Sequence, residues 1–195
     1  MKNMKKIAVL ATSFALVAAI AVGGTMAYMT AKDDSITNSF TFGNIGIKLE
    51  ETYTANSKVT PGAVISKTPQ VTVKANSEES YVYMNIKTTL TSNEATLDVN
   101  TTNWTKLDTS TANSGDVYRY NTTVTPESAQ DKTLEALFTK VSYSGANITE
   151  DNLETVANKT IIVGAYAHQA TTDEAGVTMQ EVSDDAAIAY FETAA

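Results

Sequence analysis

The sequence predicts an all-β protein, a jelly-roll-like β-sandwich carrying one or two short helices. Three observations predict it. Several short segments alternate apolar and polar side chains, the period of a half-buried strand. Turn residues separate those segments at short intervals. The polar content is Thr, Ser and Asn rather than charge: only 18% of the 195 residues are charged, below the usual share of about 25%. Thr, Val and Tyr also favour strands. Many short strands with few helices fit two packed sheets.

The chain opens on a different pattern. Lys2, Lys5 and Lys6 precede an uncharged apolar run from Ile7 to Val22, followed by Gly23 and Gly24. Thr25 and Ala27 are small residues at the −3 and −1 positions of a cleavage site before Tyr28, the arrangement of a secretory signal peptide. Residues 1–27 are therefore expected to be removed. The rival reading is an uncleaved anchor, since the uncharged stretch continuing to Ala31 is long enough to span a bilayer. The Gly23-Gly24 pair sits where a cleavage region belongs.

Residues 28–39 lack a clear period and read as an extended N-terminal arm, with Tyr28, Met29 and Ile36 among its apolar members. Residues 40–195 read as a single β-sandwich domain. In it Phe40, Phe42, Ile45, Ile47 and Leu49 alternate, interrupted at Gly43-Asn44, and predict a bent strand or strand pair over 39–50. Pro61-Gly62 is a turn signal. A strand is expected from Val71 to Ala75, after Pro69 and before Asn76-Ser77. The clearest strand is 81–90, with Val82, Met84, Ile86 and Thr88 on one face and Tyr81, Tyr83, Asn85 and Lys87 on the other. Short strands follow at 97–99, 104–107 and 116–124.

One helix is expected next. Thr125 reads as its cap, Pro126 and Glu127 suit its first turn, and Leu134, Leu137, Phe138 and Val141 follow helical spacing. A short helical turn is expected within 149–156, then a buried strand over 159–169. Ser183 is expected to cap a last short helix through Phe191, or the segment forms a final strand.

The charge excludes some partners. Three of the 14 Lys and Arg residues lie in the leader, leaving 11 against 22 Asp and Glu, a net charge of −11. Such a surface repels nucleic acid and anionic membranes. There is no cysteine, hence no disulfide framework and no thiolate chemistry.

The search for chemistry returns no catalytic, cofactor-binding or metal-binding residues. His168 is the single histidine, whereas a catalytic zinc needs several protein ligands and an open position. It lies out of phase with Ile161, Val163 and Ala165 and reads as a surface or rim residue. No G-x-S-x-G turn presents a serine, and no phosphate loop or EF-hand spacing occurs. The pairs Asp33-Asp34, Glu78-Glu79 and Asp184-Asp185 read as solvated loops or a helix start. Tyr81, Tyr83, Trp104, Tyr118 and Tyr120 suit either a carbohydrate-binding face or cross-strand aromatic pairing, and pairing is the expectation.

Two stretches carry a resemblance. Gly24-Thr25-Met26-Ala27-Tyr28-Met29-Thr30, followed by Phe40-Thr41-Phe42-Gly43-Asn44-Ile45-Gly46-Ile47-Lys48-Leu49, resembles the start of the TasA/camelysin family. Pro61-Gly62 before Lys67-Thr68-Pro69 and Val71-Thr72-Val73-Lys74-Ala75-Asn76-Ser77 is similar to that family's next element. Met29 stands where the family commonly has an aromatic. The likeness covers roughly residues 20–90.

The resemblance implies a secreted jelly-roll subunit of extracellular biofilm-matrix fibres in a Gram-positive bacterium, cut by a SipW-type signal peptidase. It implies assembly into a head-to-tail homopolymer, with other matrix proteins as further partners. The assembly arm would be residues 28–39, with Tyr28, Met29 and Ile36, extended by Phe40 and Phe42. The physics is β-augmentation, in which an extended segment pairs with an open sheet edge. Two other readings stay open. One is a monomeric surface adhesin. The other is a camelysin-like surface metallopeptidase, against which the lack of metal ligands speaks.

Overall fold

The computed structural model describes the backbone of residues 30–32, and residues 44–53, 58–109, 114–170 and 179–194. The signal segment with Thr25 and Ala27, and arm residues Tyr28, Met29, Ile36, Phe40 and Phe42, lie outside the described residues.

Alternation becomes two antiparallel sheets. Ten strands lie among the described residues: β1 (Thr30–Lys32), β2 (Ile47–Tyr53), β3 (Val64–Val73), β4 (Ser80–Thr88), β5 (Ala95–Leu97), β6 (Trp104–Lys106), β7 (Asp116–Tyr120), β8 (Lys132–Thr133), β9 (Lys140–Tyr143) and β10 (Ile161–Gln169). The first sheet has the order β1-β10-β4-β7-β6. The second has the order β2-β3-β9-β5, with β8 also paired to β3. Two helices complete the described chain, α1 (Leu153–Ala157) and α2 (Met179–Thr193). The all-β sandwich class expected from the sequence is the class observed.

The main core lies between the sheets. β4 contributes Val82, Met84 and Ile86, β10 contributes Ala165 and Ala167, and β3 contributes Val71 and Val73. Trp104, Tyr118, Leu134, Leu137, Phe138 and Val141 complete its large side chains. The opposite face of β4 is buried too. Tyr83 joins Val117 of β7, Tyr166 of β10, and Ala187 and Phe191 of α2 in a second, smaller cluster. The first sheet is thus covered on both faces, by the second sheet and by α2.

Turn chemistry follows the residues. Ala63 N donates to Thr60 O at 3.0 Å, and Gly62 between them has φ +76°, the type II geometry that favours glycine at its third position. Asn76 takes φ +61° as Ser77 N closes onto Lys74 O at 3.2 Å, a conformation asparagine tolerates.

Several expectations fail for definable reasons. Pro69 does not precede a strand; it lies within β3. Its carbonyl accepts from Leu137 N at 3.2 Å, so its missing N–H faces the stretch between the short β8 and β9 ladders. No ladder bond is lost, which is the condition for proline inside a strand. Of the strand expected over 39–50, residues 47–50 are strand and Asn44, Ile45 and Gly46 are not, while 39–43 lie outside the described residues.

The helix expected after Thr125 does not form. Residues 125–131 are irregular, β8 follows, and residues 134–138 run between elements. Their backbone groups are used laterally. Leu134 N donates to Val71 O at 2.9 Å, Glu135 O accepts from Trp104 Nε1 at 2.9 Å, and Leu137 O accepts from Asn100 N at 2.8 Å. Leu134, Leu137, Phe138 and Val141 are all buried. Their spacing marked burial correctly, but tertiary hydrogen bonds displaced the helical ones. The turn expected within 149–156 is realised as α1. The last helix is α2, which starts at Met179, so Ser183 is an interior residue rather than a cap.

Candidate assembly edge and the covered face beside it

β10 is where the sequence-predicted features meet. Its nine residues pair with β4 from Ile161↔Thr88 to Gln169↔Ser80. The phase of that ladder is set at its ends. Ala170 N donates to Glu79 O at 2.8 Å and Thr89 N donates to Thr160 O at 3.2 Å. Even-numbered β10 residues therefore turn their peptide groups to β4. Ile161, Val163, Ala165, Ala167 and Gln169 turn theirs to the outer edge.

The arm reaches this edge. β1 pairs antiparallel with β10 in the register Thr30↔His168, Ala31↔Ala167 and Lys32↔Tyr166. The arm is thus not unattached along its length, since residues 30–32 dock on the chain's own sheet. By the ladder phase, Ala31↔Ala167 is the hydrogen-bonded pair and its two neighbours are not. Residues 161–165 carry no strand partner on this side among the described residues. Ile162 there is 59% exposed.

The outer face of β10 points at α2. His168, Tyr166, Gly164 and Ile162 share that face by alternation. His168 is 4% exposed, which corrects the expectation of a surface or rim histidine. Its phase was read correctly, but the face it occupies is covered by a helix. His168 Nδ1 lies 2.8 Å from Ser183 Oγ and 3.1 Å from Gln169 O. Burial pushes the imidazole below its ordinary value, and the Gln169 carbonyl opposes that shift.

A second polar group lies one strand inward. Tyr83 Oη donates to Asp184 Oδ1 at 2.8 Å, and Arg119 forms an ion pair with the other carboxylate oxygen of Asp184. Gln180 lies against the same guanidinium. Burial and the neighbouring carboxylate push the Tyr83 hydroxyl well above the ordinary tyrosine range. Burial also pushes Tyr166 up to about 12, under a stacked Tyr190 at 4.9 Å between centroids. Asp184 therefore departs from its expected solvated role. Glu78 and Glu79 remain exposed.

Glycine at 164 permits this close approach. A Cβ there would stand 2.6 Å from Asn85 Oδ1 and 3.2 Å from Phe191 Cε1. Asn85 uses that oxygen to accept from Gly164 N at 2.8 Å and its nitrogen to donate to Ser114 O at 2.8 Å.

The aromatic set forms cross-strand pairs. Trp104 and Tyr120 are register partners in edge contact, 5.0 Å between centroids. Tyr83 and Tyr166 are also partners, at 6.0 Å. Trp104, Tyr83 and Tyr118 are buried, so they present no sugar-stacking surface. Among the described residues, no three His, Cys, Asp or Glu side chains gather to hold a metal ion.

The network of His168, Ser183, Tyr83, Asp184 and Arg119 escaped the sequence reading. A signal for it exists: Met179, Ser183, Ala187 and Phe191, buried on α2, recur every four residues, as one face of a helix does. No protein family, curated protein or solved structure matches the chain.

Proposed function

We propose that this chain is a secreted structural subunit of extracellular fibres, in which the arm of one copy adds as a strand to the β10 edge of the next. The observation that carries the reading is the pairing of Thr30–Lys32 with β10. Among the described residues, the arm occupies three positions of this edge. Cleavage between Ala27 and Tyr28 by a SipW-type peptidase would release the arm from the membrane. An arm that docks on its own edge can dock on an identical edge, which is domain swapping. Head-to-tail exchange does not close, so it yields filaments.

The register states what the exchange would gain. If an exchanged arm kept the register of Thr30–Lys32, Asp33 would stand opposite Ala165, Ser35 opposite Val163 and Thr37 opposite Ile161. The hydrogen-bonded pairs would then number four, of which Ala31↔Ala167 is the described one. Each added backbone hydrogen bond contributes roughly 0.5–1.5 kcal/mol net. In that register Ile36 would fall opposite the exposed Ile162, an apolar cross-strand pair of the kind that stabilises sheets. The jelly-roll attribution and the biofilm-matrix setting rest on the resemblance described above and belong to this proposal.

The test uses the absence of native cysteine. Ala31→Cys with Ala167→Cys joins a hydrogen-bonded antiparallel pair, whose Cα atoms stand about 5.5 Å apart, within disulfide range. With the bridge closed, the leader-cleaved protein is expected to stay monomeric by electron microscopy and sedimentation. Reduction is expected to restore fibres. Fibres that grow equally well with the bridge closed would overturn the exchange, and a reduced, cleaved protein that never polymerises would overturn the fibre reading itself.

A further inference from the structure

The space between the two sheets opens at one end into a cleft of about 220 Å³. The inner face of the second sheet supplies one wall. Ile65 and Val141 are register partners there, and Tyr53 stands opposite Lys67. Tyr143 shares the face of Val141 by alternation. Ile161, the first residue of β10, and Lys159 just before it line the other side. We propose that this cleft binds one neutral sugar ring of a glycan, with the Tyr53 ring as its stacking platform and the Lys67–Glu51 and Lys159–Glu94 ion pairs as its hydroxyl clamps.

Two ion pairs mark the cleft. Lys67 pairs with Glu51, and its ammonium lies 5.9 Å from the centre of the Tyr53 ring, within cation–π range. Lys159 Nζ donates to both carboxylate oxygens of Glu94 at 2.7 Å. That contact holds the Glu94 carboxyl below its ordinary value, so the pair is charged at neutral pH. Both lysine side chains are mostly covered, at 13% and 21% exposed. Tyr143 adds a hydroxyl that burial and the neighbouring Tyr53 push up, so it keeps its proton.

These charges decide the class of ligand. A carboxylate would have to compete with Glu51 and Glu94 for the same ammonium groups. A wholly apolar molecule would strip water from two ion pairs and return no hydrogen bond, which is costly. A hydroxyl both donates and accepts. Adjacent hydroxyls of a sugar therefore accept from lysine and donate to glutamate without parting either pair. The C–H face of the ring is apolar and matches the Tyr53 ring, which is 51% exposed. Ile65, Val141 and Ile161 line the cleft beside it.

Size sets the length of what enters. Sites for drug-sized molecules enclose about 300–1,000 Å³, so a cleft of about 220 Å³ admits one ring rather than an oligosaccharide. The aromatic residues that the sequence offered for sugar binding fail on exposure, since Tyr83, Trp104 and Tyr118 are buried. Tyr53 is exposed and has charged neighbours, the combination a sugar needs. The cleft uses no residue of the arm, so it stands or falls apart from the fibre reading.

Saturation-transfer NMR tests it, because it reads the ligand signals and works on monomer and fibre alike. The probes are the methyl glycosides of glucose, galactose, mannose and N-acetylglucosamine, with acetate as the anionic competitor. At least one glycoside is expected to bind the leader-cleaved protein saturably at millimolar concentration, and acetate should not displace it. Tyr53→Ala should weaken that binding about tenfold, whereas Tyr53→Phe keeps the ring and should stay within about threefold of wild type. If Tyr53→Ala misfolds by near-ultraviolet circular dichroism, Lys67→Met serves instead. It keeps the apolar stem, removes the donor and should weaken binding about fivefold. Binding of none of the four glycosides, equal affinity in Tyr53→Ala or in Lys67→Met, or displacement by acetate would each overturn the site.

Discussion

The two faces of the first sheet are both buried, yet they are built by opposite means. The inner face meets the second sheet through Val82, Met84, Ile86, Trp104, Ala165 and Ala167, against Val71, Val73, Phe138 and Val141. The outer face meets one helix through three buried residues, Tyr83, Val117 and Tyr166, against Ala187 and Phe191 of α2, and through a set of hydrogen-bonded polar groups. Apolar burial is additive and indifferent to pH. Polar attachment is directional and depends on protonation and on every partner staying in place. The inner face therefore fixes the sandwich, and the outer face is suited to open without unfolding it.

Cutting one phenylalanine from each face gives the largest contrast. Phe138 is fully buried in the main core. Phe138→Ala should cost about 3–5 kcal/mol in global unfolding by denaturant titration, the range for a buried aromatic truncated to alanine. Phe191 is as well buried, but under α2. For Phe191→Ala, the loss in global stability cannot exceed the docking free energy of α2, because the helix can leave while the sheets remain. The expected result is a small shift in the denaturation midpoint with strong loss of α2 exchange protection. Equal global losses for both variants would show that the two faces unfold as one unit.

The same contrast explains which features were legible in the sequence. β4 was legible because Val82, Met84 and Ile86 alternate strictly, and alternation is a local property. The Pro61-Gly62 turn was legible because its chemistry is confined to four residues. The segment 134–138 was not, because its burial pattern satisfies a helix equally well. What decides against helix is that Val71, Trp104 and Asn100, remote in sequence, take its hydrogen bonds. His168 was misjudged for a related reason. Alternation assigned it to the face opposite Val163 and Ala165 correctly, but nothing local says that a helix beginning at Met179 covers that face. The docking of Thr30–Lys32 likewise depends on β10, over a hundred residues away.

Gly164 offers an intermediate break, at the point where the two faces share a strand. Its backbone lies against Asn85 Oδ1, and Phe191 leaves no room for a methyl group. Gly164→Ala should force Phe191 and Asn85 aside and cost about 1–3 kcal/mol, as overpacking does. The strain falls on the helix side, because a side chain at 164 projects toward α2. Exchange of α2 amides should rise most, and Phe191→Ala in the same chain should relieve part of the cost. A double-mutant cycle measures that relief. No coupling between the two positions would place the strain elsewhere.

The smallest effect separates the faces by pH alone. Asp98 follows β5 at the edge of the second sheet. It accepts from Thr139 N at 3.0 Å, Thr139 Oγ1 at 2.7 Å and Lys140 N at 2.8 Å. Desolvation acts against the charged form, but these hydrogen bonds outweigh it and hold the carboxyl below the ordinary aspartate value of 3.8. A carboxylate lowered in the folded state contributes stability above its unfolded value and loses it as pH falls through the folded one. The Asp98 contribution is therefore intact at pH 5 and fades only below about pH 4. Asp98→Asn keeps one acceptor oxygen and, on so exposed a residue, should cost under about 1 kcal/mol at pH 7. Its stability difference from wild type should be constant from pH 7.5 to 5 and should shrink below pH 4. If the difference instead changed between pH 7 and 5, the edge of the second sheet would be energetically coupled to His168, the one histidine of the chain, which lies on the outer face of the first sheet, and the separation of the two faces would not hold.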